Sequence, residues 1–175
     1  MTERMHTLVC LVEDQPGVLN RVMSLFRRRM FNAESVTVGR SEQPGLSRMT
    51  FVFHGDDETV EQVSKQLYKL LEVLKVTDIT TEPHIRRELA LIKVNATANN
   101  RADLMQITDI FHGKIIDVSH NQLVIEIAGA TDKIDSFLGL IQQFGIREIS
   151  RTGIVVVTRP SATNDNTVRL REEVA

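Results

Sequence analysis

One order of segments occurs twice along this chain: strand, helix, strand, strand, helix, strand. Between residues 6 and 80, short apolar or alternating stretches and stretches of helical periodicity follow one another in that order. This is the order of the split βαβ unit, in which two helices pack on one face of a four-stranded antiparallel sheet. Because the second half repeats it, the sequence predicts an α+β protein of two ferredoxin-like βαββαβ units in tandem.

The first half divides into strands and helices with clear boundary signals. Strands are predicted at residues 6–12, 31–40, 46–54 and 73–80. Apolar residues at helical spacing predict two helices, with the stripes Leu19, Val22, Met23 and Phe26, and then Val60, Val63, Leu67, Leu70 and Leu71. Asp56 and Asp57 are suited to cap the second helix, and the arginines at 27–29 suit the negative end of the first.

The second half shows the same pattern with different residues. Strands are predicted at 89–96, 114–119, 123–128 and 146–157, the last interrupted at Thr152 and Gly153. One helix is predicted at 103–111, ended by Gly113, and another after a Thr131 cap, with the stripe Ile134, Phe137, Leu138 and Ile141. We therefore expect a first domain at 1–80, a linker at 81–88, a second domain at 89–158 and a polar, disordered tail at 159–175.

Composition excludes several classes of function. The chain has 175 residues with 21 basic and 23 acidic side chains, a formal net charge of −2, so nothing in its charge favours nucleic acid or an anionic membrane as a partner. No apolar run approaches the length of a membrane span, and the first predicted strand follows almost directly on Met1, so we expect a cytoplasmic protein.

A single cysteine, Cys10, excludes an internal disulfide and is expected to be a buried, inert thiol. The five histidines lack metal-ligand spacing, so we expect no metal site and place each histidine at the surface or a strand edge.

The turn at residues 13–19 is the one local constellation with chemical meaning. It joins a strand to a helix through Gly17, which lets a ligand approach the backbone. Free N–H groups at the helix start attract a carboxylate, and Asp14 can accept from an ammonium group. Such a pair suits a free α-amino acid, although an ordinary strand-to-helix turn would have the same residues.

The turn, within its βαββαβ frame, resembles that of the ACT domain, a small regulatory module that binds amino acids. Longer stretches are similar to the small, regulatory subunits of acetohydroxyacid synthase (acetolactate synthase), and they lie in both halves, at residues 34–38, 46–50, 61–70, 111–118 and 151–154. The resemblance covers nearly all of residues 5–158, in order. It implies that the first domain is an ACT domain, responsible for effector binding and dimerisation.

The resemblance also implies a function. Subunits of this family are not enzymes by themselves; they bind a large catalytic subunit that uses thiamine diphosphate, Mg²⁺ and FAD, raise its activity and make it sensitive to valine, in branched-chain amino-acid biosynthesis. Effectors bind where two ACT domains meet in a homodimer. Carried over by position, the valine site consists of Gly17 of one protomer and Asn32 of the other, with Asp14, Val18 and Leu19 beside them. The family often has asparagine where this chain has Asp14, whose charge suits an ammonium group but repels a carboxylate.

Three other functions compete with this one. RNA-recognition motifs share the βαββαβ order, and Met49, Phe51 and Phe53 alternate on one strand as stacking side chains do. Against that reading, the glycines of the RNA motif are missing and the same side chains can pack under the helices. A stand-alone amino-acid sensor would need only the first half. An enzyme is the weakest alternative, since the chain has neither a nucleophile elbow nor a phosphate-binding loop.

Overall fold

The computed structural model describes residues 4–160, which form two compact units. The first comprises residues up to 85 together with the segment from 156 onwards, and the second comprises residues 86–155. Each unit has its own hydrophobic core. The prediction of two tandem α+β units of βαββαβ type is confirmed, while the predicted tail beyond residue 160 lies outside the described residues.

The first unit is a four-stranded antiparallel sheet with two helices. Its elements are β1 (Arg4–Glu13), α1 (Val18–Arg28), β2 (Ala33–Arg40), β3 (Leu46–Gly55), α2 (Asp57–Leu67) and β4 (Val73–Asp78). The strand order is β2-β3-β1-β4, so β2 and β4 are the edges. Alternate residues of β1 and β3 point under the helices, among them Leu8, Cys10, Phe51 and Phe53, all essentially inaccessible to solvent. Cross-strand register sets this face, since Leu8 lies opposite Phe51 and Cys10 opposite Met49.

Helix α1 buries a slightly different stripe from the predicted one. Its buried residues are Val18, Val22, Leu25 and Phe26, whereas Leu19 is 45% exposed. Leu19 has the right spacing from Val22 and Phe26, but the face that meets the sheet is centred on Val18. The apolar Leu19 side chain is therefore available at the surface beside the turn that starts the helix.

Helix α2 ends earlier than its apolar stripe predicts. Asp56 caps it by accepting a hydrogen bond from the Thr59 N–H at 2.9 Å, as expected, but the helix ends at Leu67. Leu71 is 89% exposed in the following turn. The prediction that Leu71 belongs to the buried stripe of α2 was wrong, because the helix ends four residues before it.

The second unit repeats the plan with different side chains. It contains β5 (His84–Asn95), α3 (Arg101–Ile110), β6 (Lys114–Val118), β7 (Gln122–Gly129), α4 (Thr131–Ile141), a short 3₁₀ turn (Gln142–Phe144) and β8 (Ile146–Arg151). A last strand, β9 (Val155–Thr158), follows, and from Val156 onwards it belongs to the first unit. The strand order is β6-β7-β5-β8, and β9 pairs with β5. The core is formed by apolar side chains of the sheet and both helices, including Ile92, Leu104, Ile125 and Phe137.

The domain boundaries of the structure differ from the predicted ones in two places. Residues 84–88, predicted as linker, form the first part of β5. Val156, predicted to belong to the second domain, is buried against Val9 and Ile79 of the first unit. Both differences depend on pairing and packing over long sequence separations, which local patterns do not encode.

The end of α3 also differs in detail. The left-handed position after this helix is taken by His112, with φ 52°, rather than by Gly113. Gly113 is still needed there, since a Cβ would lie 3.0 Å from Thr108 Cγ2 and 3.2 Å from the Glu126 carbonyl oxygen. The glycine is required by close packing rather than by a left-handed conformation.

Candidate functional site

The turn between β1 and α1 is built around Gly17. Pro16 and Gly17 form the turn, and Gly17 has φ 90° and ψ −11°, a left-handed conformation that costs a residue with a Cβ about 1–2 kcal/mol. A Cβ placed on Gly17 would meet no atom within 4 Å. The backbone there is therefore open to the space in front of the helix.

The first amide groups of α1 are available to a ligand. No side chain caps this helix, and no acidic residue lies in its first turn. The Val18 N–H donates to the Gln15 carbonyl at 3.3 Å and the Arg21 N–H to the Gly17 carbonyl at 3.0 Å, but the N–H groups of Leu19 and Asn20 have no acceptor within residues 4–160. Such a helix start attracts an anion, because the free N–H groups and the helix dipole present partial positive charge.

Asp14 ties the turn to the neighbouring hairpin. Its N–H donates to the Gly45 carbonyl at 2.8 Å, and its Oδ1 accepts from the Ser47 hydroxyl at 3.1 Å. The side chain is otherwise exposed. One carboxylate oxygen thus ties the β1–α1 turn to β3, and the other stays available to a cation.

The two apolar candidates after Gly17 have different environments. Val18 is buried in the core of the first unit, so it supports the turn from beneath. Leu19 is largely exposed beside the free N–H groups. Of the two, only Leu19 presents its side chain to the surface at the helix start.

Asn32 lies at the other end of the sheet from Gly17. It is exposed and directly precedes β2, whose first residue, Ala33, is level with Phe53 and hence with His6 of β1. Gly17 follows the far end of β1, and the seven residue steps from His6 to Glu13 alone span roughly 23 Å. The structure therefore does not bring Asn32 and Gly17 together within one protomer.

Comparisons with known proteins cover both units. A family model described as an AHAS small subunit-like ACT domain matches residues 8–75, and a model described as the small subunit of acetolactate synthase matches residues 87–160. The probable acetolactate synthase small subunit of Archaeoglobus fulgidus is 51% identical over 154 residues, which cover 88% of this chain and 96% of that protein. This chain belongs to the acetolactate synthase small-subunit family. The resemblance inferred from the sequence is thereby confirmed, including an ACT domain at the N-terminus.

Two further relatives agree with this assignment. The probable acetolactate synthase small subunit of Methanothermobacter thermautotrophicus is 48% identical over 90% of this chain and 95% of its own length. The crystal structure of the acetolactate synthase small subunit of Thermotoga maritima superposes with a TM-score of 0.84 at 48% identity, covering 89% of this chain and 98% of that one. The small-subunit fold is therefore shared over nearly the whole described length.

The side chains proposed as an RNA-stacking surface are in the core of this small subunit. Met49, Phe51 and Phe53 are at most 2% exposed, and Phe51 stacks on Phe26 of α1 with ring centroids 4.8 Å apart. A base cannot stack on a ring that is already covered on the helix side. These side chains stabilise the ACT domain.

Cys10 is buried, as predicted, and its burial raises the pKa of the thiol to about 12. A thiol that stays protonated at neutral pH is a poor nucleophile and a poor metal ligand. No group of three or more His, Cys, Asp or Glu residues within residues 4–160 is arranged to hold a metal ion. No helix in this described part of the chain is long and apolar enough to cross a membrane.

His6 corrects the expectation that every histidine lies at a surface or strand edge. It is fully buried and stacks on Phe53, with ring centroids 6.0 Å apart. Its Nδ1 lies 3.4 Å from the Thr80 hydroxyl. The apolar neighbours in residues 6–12 had indicated a strand, but strand register alone decides that His6 points under the helices.

Sequence reasoning missed Ser47 and Gly45 as parts of the turn. Ser47 lies 33 residues from Asp14 and Gly45 lies 31 residues from it, and no local motif links either residue to Asp14. The only signal in the sequence was the predicted turn at 43–45. It predicted a hairpin but did not indicate that this hairpin contacts Asp14.

Proposed function

We propose that this small subunit is the regulatory, non-catalytic subunit of an acetolactate synthase. It binds the large catalytic subunit, raises its activity and makes it subject to feedback inhibition by valine. The thiamine diphosphate, Mg²⁺ and FAD of the reaction belong to the catalytic partner. The family membership of the chain supports the partnership, and the open turn at Gly17 supports the effector site.

The uncapped start of α1 carries the effector proposal. The N–H groups of Leu19 and Asn20 would receive the carboxylate of valine, and the free oxygen of Asp14 would accept from its ammonium group. The exposed Leu19 side chain would contact the isopropyl group. The absence of a Cβ at Gly17 leaves the approach to these groups open.

Pairing of two protomers through β2 would complete the site with Asn32. In the described part of the chain β2 is an edge strand, and an edge of this length is a template for pairing with another strand. If two β2 strands pair antiparallel about a two-fold axis at their centres, Asn32 of one protomer lies beside Arg40 and Ser41 of the other. Arg40, at the C-terminal end of β2, lies opposite Ser47 of β3, which in turn lies opposite Val12 of β1. This end of the sheet is next to the β2–β3 turn that Asp14 contacts.

The Asn32 amide suits this position because it can donate to a carboxylate and accept from an ammonium group. Valine bound across the two protomers would favour one arrangement of the dimer, and that arrangement would hold the catalytic subunit in a less active state. A coupling of about 1–3 kcal/mol is enough to shift such an equilibrium roughly 5- to 150-fold. The ACT domain would be the part of the chain responsible for effector binding and dimerisation.

The test is to reconstitute the small subunit with its catalytic partner and to measure synthase rate against valine concentration. The wild type should raise the rate and confer inhibition by valine. Asn32→Ala should keep the activation and lose most of the inhibition, because Asn32 lies outside both cores. Asn99→Ala, an exposed asparagine of the second unit, is the matched control and should behave as the wild type. Failure of the wild type to change the rate would refute the regulatory role, and inhibition unchanged in Asn32→Ala would remove Asn32 from the site.

A further inference from the structure

A second cleft lies in the second unit, where the chain passes from β5 into α3. It has a volume of about 500 Å³ and is lined by Thr97, Ala98, Arg101, His120 and Asn121. A cleft of this size is within the range of small-molecule sites. The β6–β7 turn closes one side, since the Ala96 N–H donates to the Asn121 carbonyl at 2.7 Å.

The Arg101 guanidinium is held rigidly at this cleft. Its Nη2 donates to the carbonyl oxygens of Ala96, Ser119 and His120, at 3.3, 2.8 and 2.8 Å. These bonds use one nitrogen of the planar fork and fix its orientation. A fork already fixed in place loses little conformational freedom when it binds a ligand.

The remaining hydrogen-bonding capacity of Arg101 is unused. Its Nε is buried and has no acceptor, and within residues 4–160 no acceptor for its Nη1 is found. A buried donor without a partner is unfavourable. Three carbonyl oxygens neutralise no charge, and no carboxylate of the described chain lies within 4 Å of the guanidinium.

The charge around Arg101 is also uncompensated. Arg101 is the first residue of α3, where the helix dipole is positive, and no side chain caps this helix. Asp103 lies in the same turn but is exposed and forms no ion pair with Arg101. A cation is unfavourable at this end of a helix unless an anion accompanies it.

We propose that this cleft binds a small oxyanion, a carboxylate or a phosphate, through the Arg101 guanidinium. Oxyanions match the planar fork of arginine and form charge-assisted hydrogen bonds with it. His120 and Asn121 also line the cleft, and their side chains can supply further polar groups. This site is separate from the turn at Gly17 and does not depend on the function proposed for that turn.

Nuclear magnetic resonance of the full-length, isotope-labelled small subunit tests the site. The Arg101 Nε–H signal and the backbone amides of residues 97–103 and 119–121 are followed during titration with inorganic phosphate and, separately, with acetate. Chloride keeps the ionic strength constant. Saturable shifts confined to these signals are expected, and the probe that binds more tightly distinguishes a phosphate site from a carboxylate site.

Variants separate a binding site from general ion effects. Arg101→Lys should weaken binding by about tenfold or more, since hydrogen bonds to charged groups are worth that much. The Asn121 side chain makes no hydrogen bond in the described structure, so Asn121→Ala should weaken binding without unfolding the turn. This variant keeps the test valid if Arg101→Lys does not fold. Arg147→Lys, outside the cleft, is the control and should bind as the wild type. Shifts that do not saturate with either probe, or that are equal in wild type, Arg101→Lys and Asn121→Ala, would overturn the proposal.

Discussion

Replacing Gly17 with alanine separates the backbone role of this glycine from its role in the effector site. With φ 90°, alanine at this position adopts a left-handed conformation that costs about 1–2 kcal/mol. Alanine also reduces the entropy of the unfolded chain, which returns about 0.4–1 kcal/mol. Since the added Cβ meets no atom within 4 Å, no steric cost is added. The net loss in the free energy of unfolding is therefore about 1 kcal/mol.

Gly45 provides a matched control for this strain. It has φ 79°, and a Cβ placed on it also meets no atom within 4 Å. Gly45→Ala should lose about the same stability, and for a unit of this size each variant should lower the midpoint of thermal unfolding by about 4–8 °C. Differential scanning calorimetry of both variants measures this directly.

Valine affinity should distinguish the two variants. The methyl group of Gly17→Ala occupies the space through which the effector reaches the N–H groups of α1, and forcing one extra carbon into a packed site costs about 1–3 kcal/mol. Valine binding, measured by isothermal titration calorimetry, should therefore weaken roughly 5- to 150-fold in Gly17→Ala. The loss should be much smaller in Gly45→Ala, because Gly45 contacts Asp14 through its carbonyl oxygen, which alanine retains. Equal affinity in Gly17→Ala and wild type, or equal losses in the two variants, would refute the reasoning.

Three further predictions concern the stability and reactivity of the two units. The hydrogen bonds from Thr59 lower the pKa of Asp56 below its ordinary 3.8. The contribution of Asp56 to stability is therefore present above pH 3.8 and is lost as the pH falls through the lower pKa of the folded state. Asp56→Asn still caps the helix but does not titrate, so it should remove that part of the acid dependence of thermal unfolding. Cys10, with a pKa of about 12, should react with a thiol reagent at pH 8 only in denaturant, and rapid reaction of the native protein would contradict its burial. Arg151→Met leaves the buried carboxylate of Glu88 without its two 2.7 Å hydrogen bonds and should cost about 1–3 kcal/mol in chemical denaturation, whereas wild-type stability would show the pair to be dispensable.

The order of elements could be predicted from the sequence because helix and strand periodicities are local. The duplication, the buried Cys10 and the capping role of Asp56 follow from residues that lie close together in the chain. The exposure of Leu19 could not be predicted in this way, since its spacing fits the stripe and only docking of α1 decides which side faces the sheet.

Features that depend on distant pairing were missed. The Asp14–Ser47 hydrogen bond joins residues 33 positions apart, and the burial of Val156 against Val9 joins the two ends of the described chain. The orphaned Arg101 Nε likewise depends on where the 119–121 turn places its carbonyl groups. The candidate effector residues came from the turn chemistry and the family resemblance together, while their positions on the sheet came only from strand register.

The central proposal is one effector site shared between two protomers, and a mixed dimer tests it most directly. In a dimer of one Gly17→Leu protomer and one Asn32→Ala protomer, purified through two different affinity tags, one site combines the intact Gly17 and the intact Asn32, and the other combines both changes. Calorimetry should find one valine bound per mixed dimer and none at comparable affinity in either variant homodimer. If the mixed dimer also fails to bind valine, then Gly17 and Asn32 either belong to a site within one protomer or do not form a site together. Either outcome would contradict a site shared between two protomers.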